Sequence, residues 1–154
     1  MNIVTKPRTC LTLLFVACAL PAAGVAAPCA GTNINNTLAW SPTEVVKGTK
    51  ISSLKITSVI VSDDPNAAFH LASGECVGSI LDHADGTRSA SGFCTRKDKD
   101  GDLLKEQWEA SSGVGTSTLL GGTGKFANTT GSWKWKVIRL YGPTAAVRWS
   151  GDCR

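Results

Sequence analysis

A glycine-rich stretch near the end of the chain, GGTGKFANTTGSW, contains the Gly-Lys pair that nucleotide-binding loops use. A P-loop requires G-x-x-x-x-G-K-[ST], but Leu119 stands five residues before Gly124, and Phe126 replaces the hydroxyl residue that binds magnesium. The SWKWKVI that follows has the alternation of a strand, whereas a P-loop leads into a helix whose amides face the phosphates. We therefore predict a tight turn with Lys125 as a solvated turn residue, and we expect no cofactor.

A candidate metal site is the acidic DKDGD run, which contains part of a calcium-loop pattern. If Gly101 takes the sixth loop position, Arg96 stands where the first carboxylate belongs. If Asp98 is instead the first ligand, Leu103 takes the place of the glycine. We interpret the run as a solvated hairpin tip, with weak calcium binding as the open alternative, and we predict no metal site.

Two side chains are candidates for acid–base catalysis. His70 lies between Phe69 and Leu71 in a predicted strand, so its imidazole can face a cavity as a base or be a hydrogen-bonded structural group. Glu106 shares a strand face with Trp108, and it is a stronger candidate if that face is interior. No second carboxylate can be tied to Glu106, and there is no G-x-S-x-G motif, so catalytic residues stay unassigned.

The five tryptophans are many for a chain of 154 residues: Trp40, Trp108, Trp133, Trp135 and Trp149. They can fill a core. Alternatively, they can line a cavity for an apolar ligand, as in small barrels that hold one molecule. The predicted ligand-cavity residues are His70, Trp108, Trp133 and Trp135.

Short strands separated by turn signals must position these residues. In the segment 54–62, Leu54, Ile56, Ser58 and Ile60 share one face. Further strands are predicted at 69–81, 88–96, 103–111, 116–120, 132–141 and 145–150, and an earlier one at 36–46 is interrupted by Pro42. Seven or eight antiparallel strands with tight connections indicate an all-β barrel or sandwich.

The strand 132–141 illustrates the expected alternation. Trp133, Trp135, Val137 and Tyr141 share one face, and lysines occupy the other. This pattern is typical of a sheet with one buried side and one side in water.

The N-terminus has the features of a secretory signal peptide. A basic region with Lys6 and Arg8 precedes the apolar run CLTLLFVACAL, and PAAGVAAP supplies small residues for cleavage. The prediction is a signal peptide over residues 1–27, a single domain over 28–154, and a secreted or periplasmic protein. The apolar run is too short to span a bilayer, and no later segment is long and apolar enough to do so.

Charge and cysteine content limit the partners. The 16 basic and 12 acidic residues are scattered, whereas nucleic-acid binding needs a concentrated basic face, so no nucleic acid is expected.

Cys29, Cys76, Cys94 and Cys153 follow the predicted cleavage site. An even number in an exported domain favours two disulfides, for which three pairings are possible. The oligomeric state is not indicated.

The glycine-rich stretch is similar to the GGTGKF signature of allene oxide cyclase barrel-like proteins, a superfamily that includes the plant dirigent proteins. SDDPNAAFH, CVGS, SGFC and KDKDGDLLKEQW follow the order and spacing of a subgroup of small exported bacterial proteins of unknown function. The resemblance covers residues 54–149. Asn128 departs from it where the family often has glycine, although Asn tolerates the left-handed conformation.

This resemblance implies an eight-stranded antiparallel, calycin-like barrel with a central cavity. Because the first and last strands of a closed barrel are neighbours, it implies a Cys29–Cys153 bridge. It also implies a Cys76–Cys94 bridge between consecutive strands. No active-site residue of the plant cyclases or dirigent proteins has a matched position here.

Three functions follow as hypotheses. The first is an exported barrel that binds an apolar or aromatic ligand, or serves as a cell-envelope accessory protein, without turnover. The second is a cofactor-free cyclase or isomerase that uses His70 or Glu106. The third is an interaction module with a filled core. An ionisable group with a shifted pKa inside a ligand-sized cavity would distinguish the second from the others.

Overall fold

The chain forms a closed, antiparallel, eight-stranded barrel in which each strand pairs with the next and β8 pairs with β1. The computed structural model describes residues 27–153, and its side chains from Cys29 onward. The predicted signal peptide, apart from Ala27, lies outside these residues. The predicted all-β barrel is confirmed.

The strands are long, and five of the seven connections between them are short. They are β1 (Ala27–Val46), β2 (Thr49–Ser62), β3 (Ser73–Asp82), β4 (Arg88–Lys97), β5 (Leu103–Ser111), β6 (Val114–Gly122), β7 (Gly131–Tyr141) and β8 (Thr144–Cys153). A 3-10 helix, Gly124–Phe126, lies between β6 and β7. Within residues 27–153, no helix has the length and apolar character needed to cross a membrane.

The up-and-down order gives the barrel two different ends. The β1–β2, β3–β4, β5–β6 and β7–β8 turns lie at one end, which we call the mouth. The longer β2–β3 and β6–β7 connections, the β4–β5 turn and the paired ends of β1 and β8 lie at the other, which we call the closed end. Alternation then points every second side chain into the lumen.

Glycines on neighbouring strands make room for the inward tryptophans. The Trp108 ring lies over Gly78 and Gly92, where an added Cβ would be 2.7 and 2.6 Å from its Cζ2 atom. The Trp135 ring covers Gly115 in the same way. Because glycine has no side chain, each large ring can lie against a neighbouring strand, and a narrow barrel can hold several tryptophans.

Both cysteine pairs implied by the family resemblance are present. Cys29 and Cys153 are bonded across the β1–β8 junction with Cα atoms 5.9 Å apart. Cys76 and Cys94 face each other on β3 and β4 and are bonded with Cα atoms 4.0 Å apart. The first bridge closes the barrel at its ends, and the second lies inside it.

The strand expected at 36–46 is part of a longer strand. β1 continues to Val46 and passes through Pro42, but its pairing with β8 ends at Asn36. Beyond Asn36, β1 pairs with β2 alone and forms an edge. A proline is tolerated there because an edge strand does not require every ladder hydrogen bond.

Two details of the expected strands need correction. The strand predicted at 69–81 begins only at Ser73, so Phe69 and His70 lie in the β2–β3 connection. Tyr141 does not share the inner face with Trp133 and Trp135, and it is 81% exposed. A register shift between Val137 and Arg139 on β7 reverses the alternation, because one extra residue moves all later side chains to the opposite face.

Candidate functional site

An aromatic cluster fills the closed end of the lumen. Trp133 and Trp149 are almost fully buried, with ring centroids 4.9 Å apart. Phe69, from the β2–β3 connection, meets the Trp149 ring edge-on at 5.8 Å. Leu104 and Phe126 complete the cluster, and the Cys29–Cys153 bridge packs against it. This end of the barrel is therefore a packed core.

The glycine-rich segment contributes to this closure. Phe126 of the 3-10 helix is buried in the aromatic cluster, and β7 follows the segment as predicted. Lys125 is exposed in this connection, as expected from the sequence, and its ammonium group also contacts the carboxylates of Asp98 and Asp100. These contacts hold the 3-10 helix on the β4–β5 turn.

Asp98 is the buried centre of that contact. Its Oδ1 accepts the backbone N–H groups of Asp100 and Asp102 at 3.0 and 2.9 Å. The hydrogen bond from Lys125, supported by these two amides, lowers the pKa of the Asp98 carboxyl. The acidic run is a mostly exposed hairpin tip, as predicted, and two of its carboxylates bind the Lys125 ammonium group.

The other half of the lumen is a cavity of about 300 Å³. Its wall is mainly apolar and includes Leu54, Ile80 and Val147, with Trp108 and Trp135 as its largest side chains. It opens at the mouth between Trp40 and Leu140, which are 44% and 70% exposed. Its volume is at the lower end of the range for ligand pockets, roughly 300–1,000 Å³.

A buried ion pair lies at the inner end of the cavity. Arg96 and Glu106, with side chains 2% and 3% exposed, are in direct contact from neighbouring strands. The Arg96 guanidinium also donates to Ser58 Oγ at 3.1 and 3.4 Å, and it lies 3.7 Å from Cys76 Sγ. Because the two charges neutralise each other, this part of the lumen offers polar atoms without a net charge.

Three buried polar atoms that belong to the cavity wall have no hydrogen-bond partner among the described residues. They are the side-chain carbonyl oxygens of Asn33 and Asn35 on β1 and the indole N–H of Trp108 on β5. The indole N–H of Trp135, in contrast, donates to Ser117 Oγ at 3.1 Å. Buried polar groups normally have partners. The three atoms therefore leave hydrogen-bonding capacity unused in the wall of the cavity.

The residues predicted from the sequence are distributed between the two halves of the lumen. Trp108 and Trp135 line the cavity, and Glu106 lies at its inner end. Trp133 belongs to the aromatic cluster at the closed end. His70 is in the β2–β3 connection and is not among the residues that line the cavity.

Sequence reasoning missed Arg96, Asn33 and Asn35. Arg96 follows Cys94 by two residues on β4, so alternation places both on the inner face once Cys94 is known to face inward. Asn33 and Asn35 alternate in the same way on β1. The signal was present in the spacing, but long polar side chains are rarely assigned to a lumen without a known partner.

A wider concavity of about 1000 Å³ lies on the outer wall of the barrel. Its lining includes Ser91, Glu109, Thr116, Lys134 and Ser150. These side chains form a row around the outside, because each is paired with the next across neighbouring strands. The concavity is more open to solvent than the lumen, so we regard the lumen as the candidate site.

The fold and the cavity define the class of this protein as a small closed β-barrel with a ligand-sized lumen. No protein-family model matches the sequence, and no curated protein does. Solved structures with a similar fold include two pterocarpan synthase dirigent proteins, GePTS1 and PsPTS1.

The match to GePTS1 has 11% sequence identity and a TM-score of 0.52, and it covers 82% of this chain and 88% of that one. The match to PsPTS1 has 12% identity and a TM-score of 0.51, and it covers 84% of this chain and 95% of that one. At these identities the likeness shows that the chain has a dirigent-like barrel fold.

Proposed function

We propose that the barrel binds one small, mainly apolar and uncharged molecule in its lumen and does not transform it. The observation that carries this proposal is the 300 Å³ cavity with Trp108 and Trp135 in its wall. Two indole rings provide a large apolar contact surface with little loss of side-chain entropy, because both are already held by the barrel.

The polar groups of the cavity indicate an uncharged ligand. A carboxylate or ammonium group would have to leave water without gaining a free counter-charge at the inner end, since Arg96 and Glu106 already neutralise each other. Asn33, Asn35 and Trp108 have unpaired polar atoms in the cavity wall, and a rotation of these side chains would let a hydroxyl, carbonyl or amide group of the ligand pair with them. We therefore expect an apolar body that carries at least one neutral polar group.

The arrangement argues against the cyclase hypothesis. That hypothesis needs a free acid–base group in the cavity, but His70 is absent from the cavity lining and the carboxylate of Glu106 is bound by Arg96. Two dirigent proteins of similar fold are named for pterocarpan synthesis. The shared fold supports a ligand in the lumen but does not transfer that reaction.

Two dyes with the same ring system test the proposal. N-phenylnaphthylamine is neutral, and anilinonaphthalene sulfonate is its charged relative. We expect saturable binding of the neutral dye at one molecule per chain, and binding of the sulfonate at least about tenfold weaker because its charge would be buried without a partner.

A matched pair of variants locates the dye. Ala145 lines the cavity, whereas Ala146 is its outward-facing neighbour on β8. Ala145→Leu fills part of the cavity and should weaken binding of the neutral dye by about tenfold, and Ala146→Leu should leave it unchanged. Equal binding of the two dyes, or equal effects of the two variants, would contradict the proposal.

We also infer that binding takes place outside the cytoplasm. The support is the N-terminal signal pattern together with two disulfides, which persist in oxidising compartments. N-terminal sequencing of the secreted or periplasmic fraction should give a chain that starts at Ala27 or Pro28. A mature chain that retains Lys6 would contradict export by cleavage.

A further inference from the structure

The mouth of the barrel carries an exposed apolar rim. The rim residues are Leu38, Trp40, Val45, Val46, Leu140 and Tyr141. The most exposed are Tyr141 at 81%, Leu140 at 70% and Val46 at 64%. They come from the β1–β2 and β7–β8 hairpins, which are neighbours on the barrel because β1 pairs with β8. Contiguous exposed apolar surface of this kind marks a place where a soluble domain meets another phase or partner.

Basic side chains accompany the rim. Lys47, Lys50, Lys136 and Arg139 lie at the mouth and make no ion pair with another described residue. Arg88 is also there, with its guanidinium 5.5 Å above the Trp40 ring. The acidic groups of this end are fewer, namely Glu44, Asp82 and Asp85. The mouth is therefore apolar and net basic.

The closed end has the opposite character. Its connections carry Asp63, Asp64, Asp100 and Asp102, and Asp152 lies at the end of β8. Acidic groups outnumber basic ones there, so the barrel is electrically polarised along its axis. A negatively charged surface would attract the mouth and repel the closed end.

We propose that the mouth end docks on an anionic lipid surface, with the rim side chains in the headgroup region. Trp40 and Tyr141 have the amphipathic rings that concentrate at membrane–water interfaces. Unpaired lysines and arginines next to such rings gain from the negative potential of anionic lipids. The cavity opens between Trp40 and Leu140, so docking brings the opening to the lipid phase, where apolar molecules are dissolved.

Two observations favour lipid over a second copy of the chain. Contact between two mouths would bring together two net basic surfaces, in which the cations outnumber the carboxylates. Strand addition along the free edge of β1 is opposed by Pro42, because a proline blunts an edge strand. A lipid surface satisfies both the apolar and the basic parts of the rim.

Co-sedimentation with vesicles tests the proposal. Vesicles of phosphatidylcholine with about 30% phosphatidylglycerol should bind the mature chain, and pure phosphatidylcholine should bind it at least about tenfold less. Val46→Ser with Tyr141→Ser should lower binding to the anionic vesicles by about tenfold. The matched control is Val77→Ser with Phe93→Ser on the outer wall, where both residues are 54% exposed, and it should bind as the wild type does.

A charge variant and an optical measurement complete the test. Lys47→Glu with Arg139→Glu should reduce binding, whereas Lys97→Glu with Lys99→Glu, near the closed end, should not. Brominated lipids should quench the fluorescence of Trp40, the tryptophan at the rim, and Trp40→Phe should remove that quenching. Neither Val46 nor Tyr141 lines the cavity, so loss of vesicle binding with unchanged dye binding is the expected result.

Several outcomes would overturn the proposal. One is failure of the wild type to bind anionic vesicles. Another is an equal effect of the rim and outer-wall variants. A third is a lipid-free dimer that the Val46/Tyr141 variant converts to a monomer, which would identify the rim as an interface between two copies. Loss of dye binding in the Ala145→Leu variant concerns the lumen alone and leaves this test unaffected.

Discussion

At the scale of single residues, the Arg96–Glu106 contact is the least replaceable polar feature of the lumen. Both side chains are buried, so removal of one partner leaves a charge without compensation. We expect Arg96→Met to lower the free energy of unfolding by about 3–5 kcal/mol. Urea denaturation of the disulfide-intact protein measures this change.

The double variant provides the control for that experiment. Arg96→Met with Glu106→Leu removes both charges and retains apolar volume, so we expect it to be more stable than Arg96→Met alone and close to the wild type. If the double variant loses as much stability as Arg96→Met and Glu106→Leu lose separately when their losses are added, the two groups are not coupled. That result would also remove the argument that the cavity is neutral.

The Lys125–Asp98 contact gives a pH-dependent prediction. The pKa of Asp98 is lower in the folded protein than its ordinary value of 3.8, chiefly because Lys125 donates a hydrogen bond to it. The contact therefore stabilises the fold above that value and loses this effect as the pH falls through the lower folded pKa. The pKa of Asp100 is lowered by the same lysine, so both carboxylates act in the same direction.

Comparison of the wild type with Lys125→Met tests this assignment. We expect the variant to unfold at a lower urea concentration at neutral pH. The difference between the two unfolding midpoints in urea should become smaller when the measurement is repeated at a pH about two units below the ordinary carboxyl pKa. A difference that stays constant over this range would assign the effect of Lys125 to packing instead of charge.

At the scale of elements, the two disulfides should differ in their contribution to stability. Cys29 and Cys153 are separated by 124 positions in sequence, and Cys76 and Cys94 by 18. The chain-entropy model gives about 5 kcal/mol for the first loop and about 3 kcal/mol for the second. The Cys29→Ser/Cys153→Ser variant should therefore be the less stable of the two double variants.

Equilibrium unfolding of the two double variants decides this prediction. If removal of the Cys76–Cys94 bridge costs more, the bridge inside the lumen contributes through packing, since its cysteines are buried beside Trp108. The chain-entropy argument would then not describe this barrel.

The strands also show how far sequence reasoning extends. The bounds of β5 agree with the predicted segment, and Trp133, Trp135 and Val137 face inward, because strict alternation specifies a half-buried strand. Tyr141 does not follow, since the register shift after Val137 depends on pairing with β8 and leaves no mark in the sequence. His70 was misplaced because the β2–β3 connection extends further than its Asp-Pro turn signal.

At the scale of the whole molecule, the barrel could be predicted from the turn spacing and the family resemblance, but the division of its lumen could not. Trp133 fills the closed end, whereas Trp135, two residues later on the same face, lines the cavity. The difference arises because Phe69 and Phe126, from two connections, pack against the rings at one end only. Such contacts join distant parts of the chain and have no local signal.

The central claim is that the lumen, and not the outer concavity, is the ligand site. The most direct measurement is the anomalous scattering of bromine in a crystal of the mature chain soaked with bromonaphthalene. We predict a single bromine peak inside the barrel between Trp108 and Trp135. A peak confined to the outer concavity beside Glu109 and Lys134, or a lumen without bromine, would contradict the account.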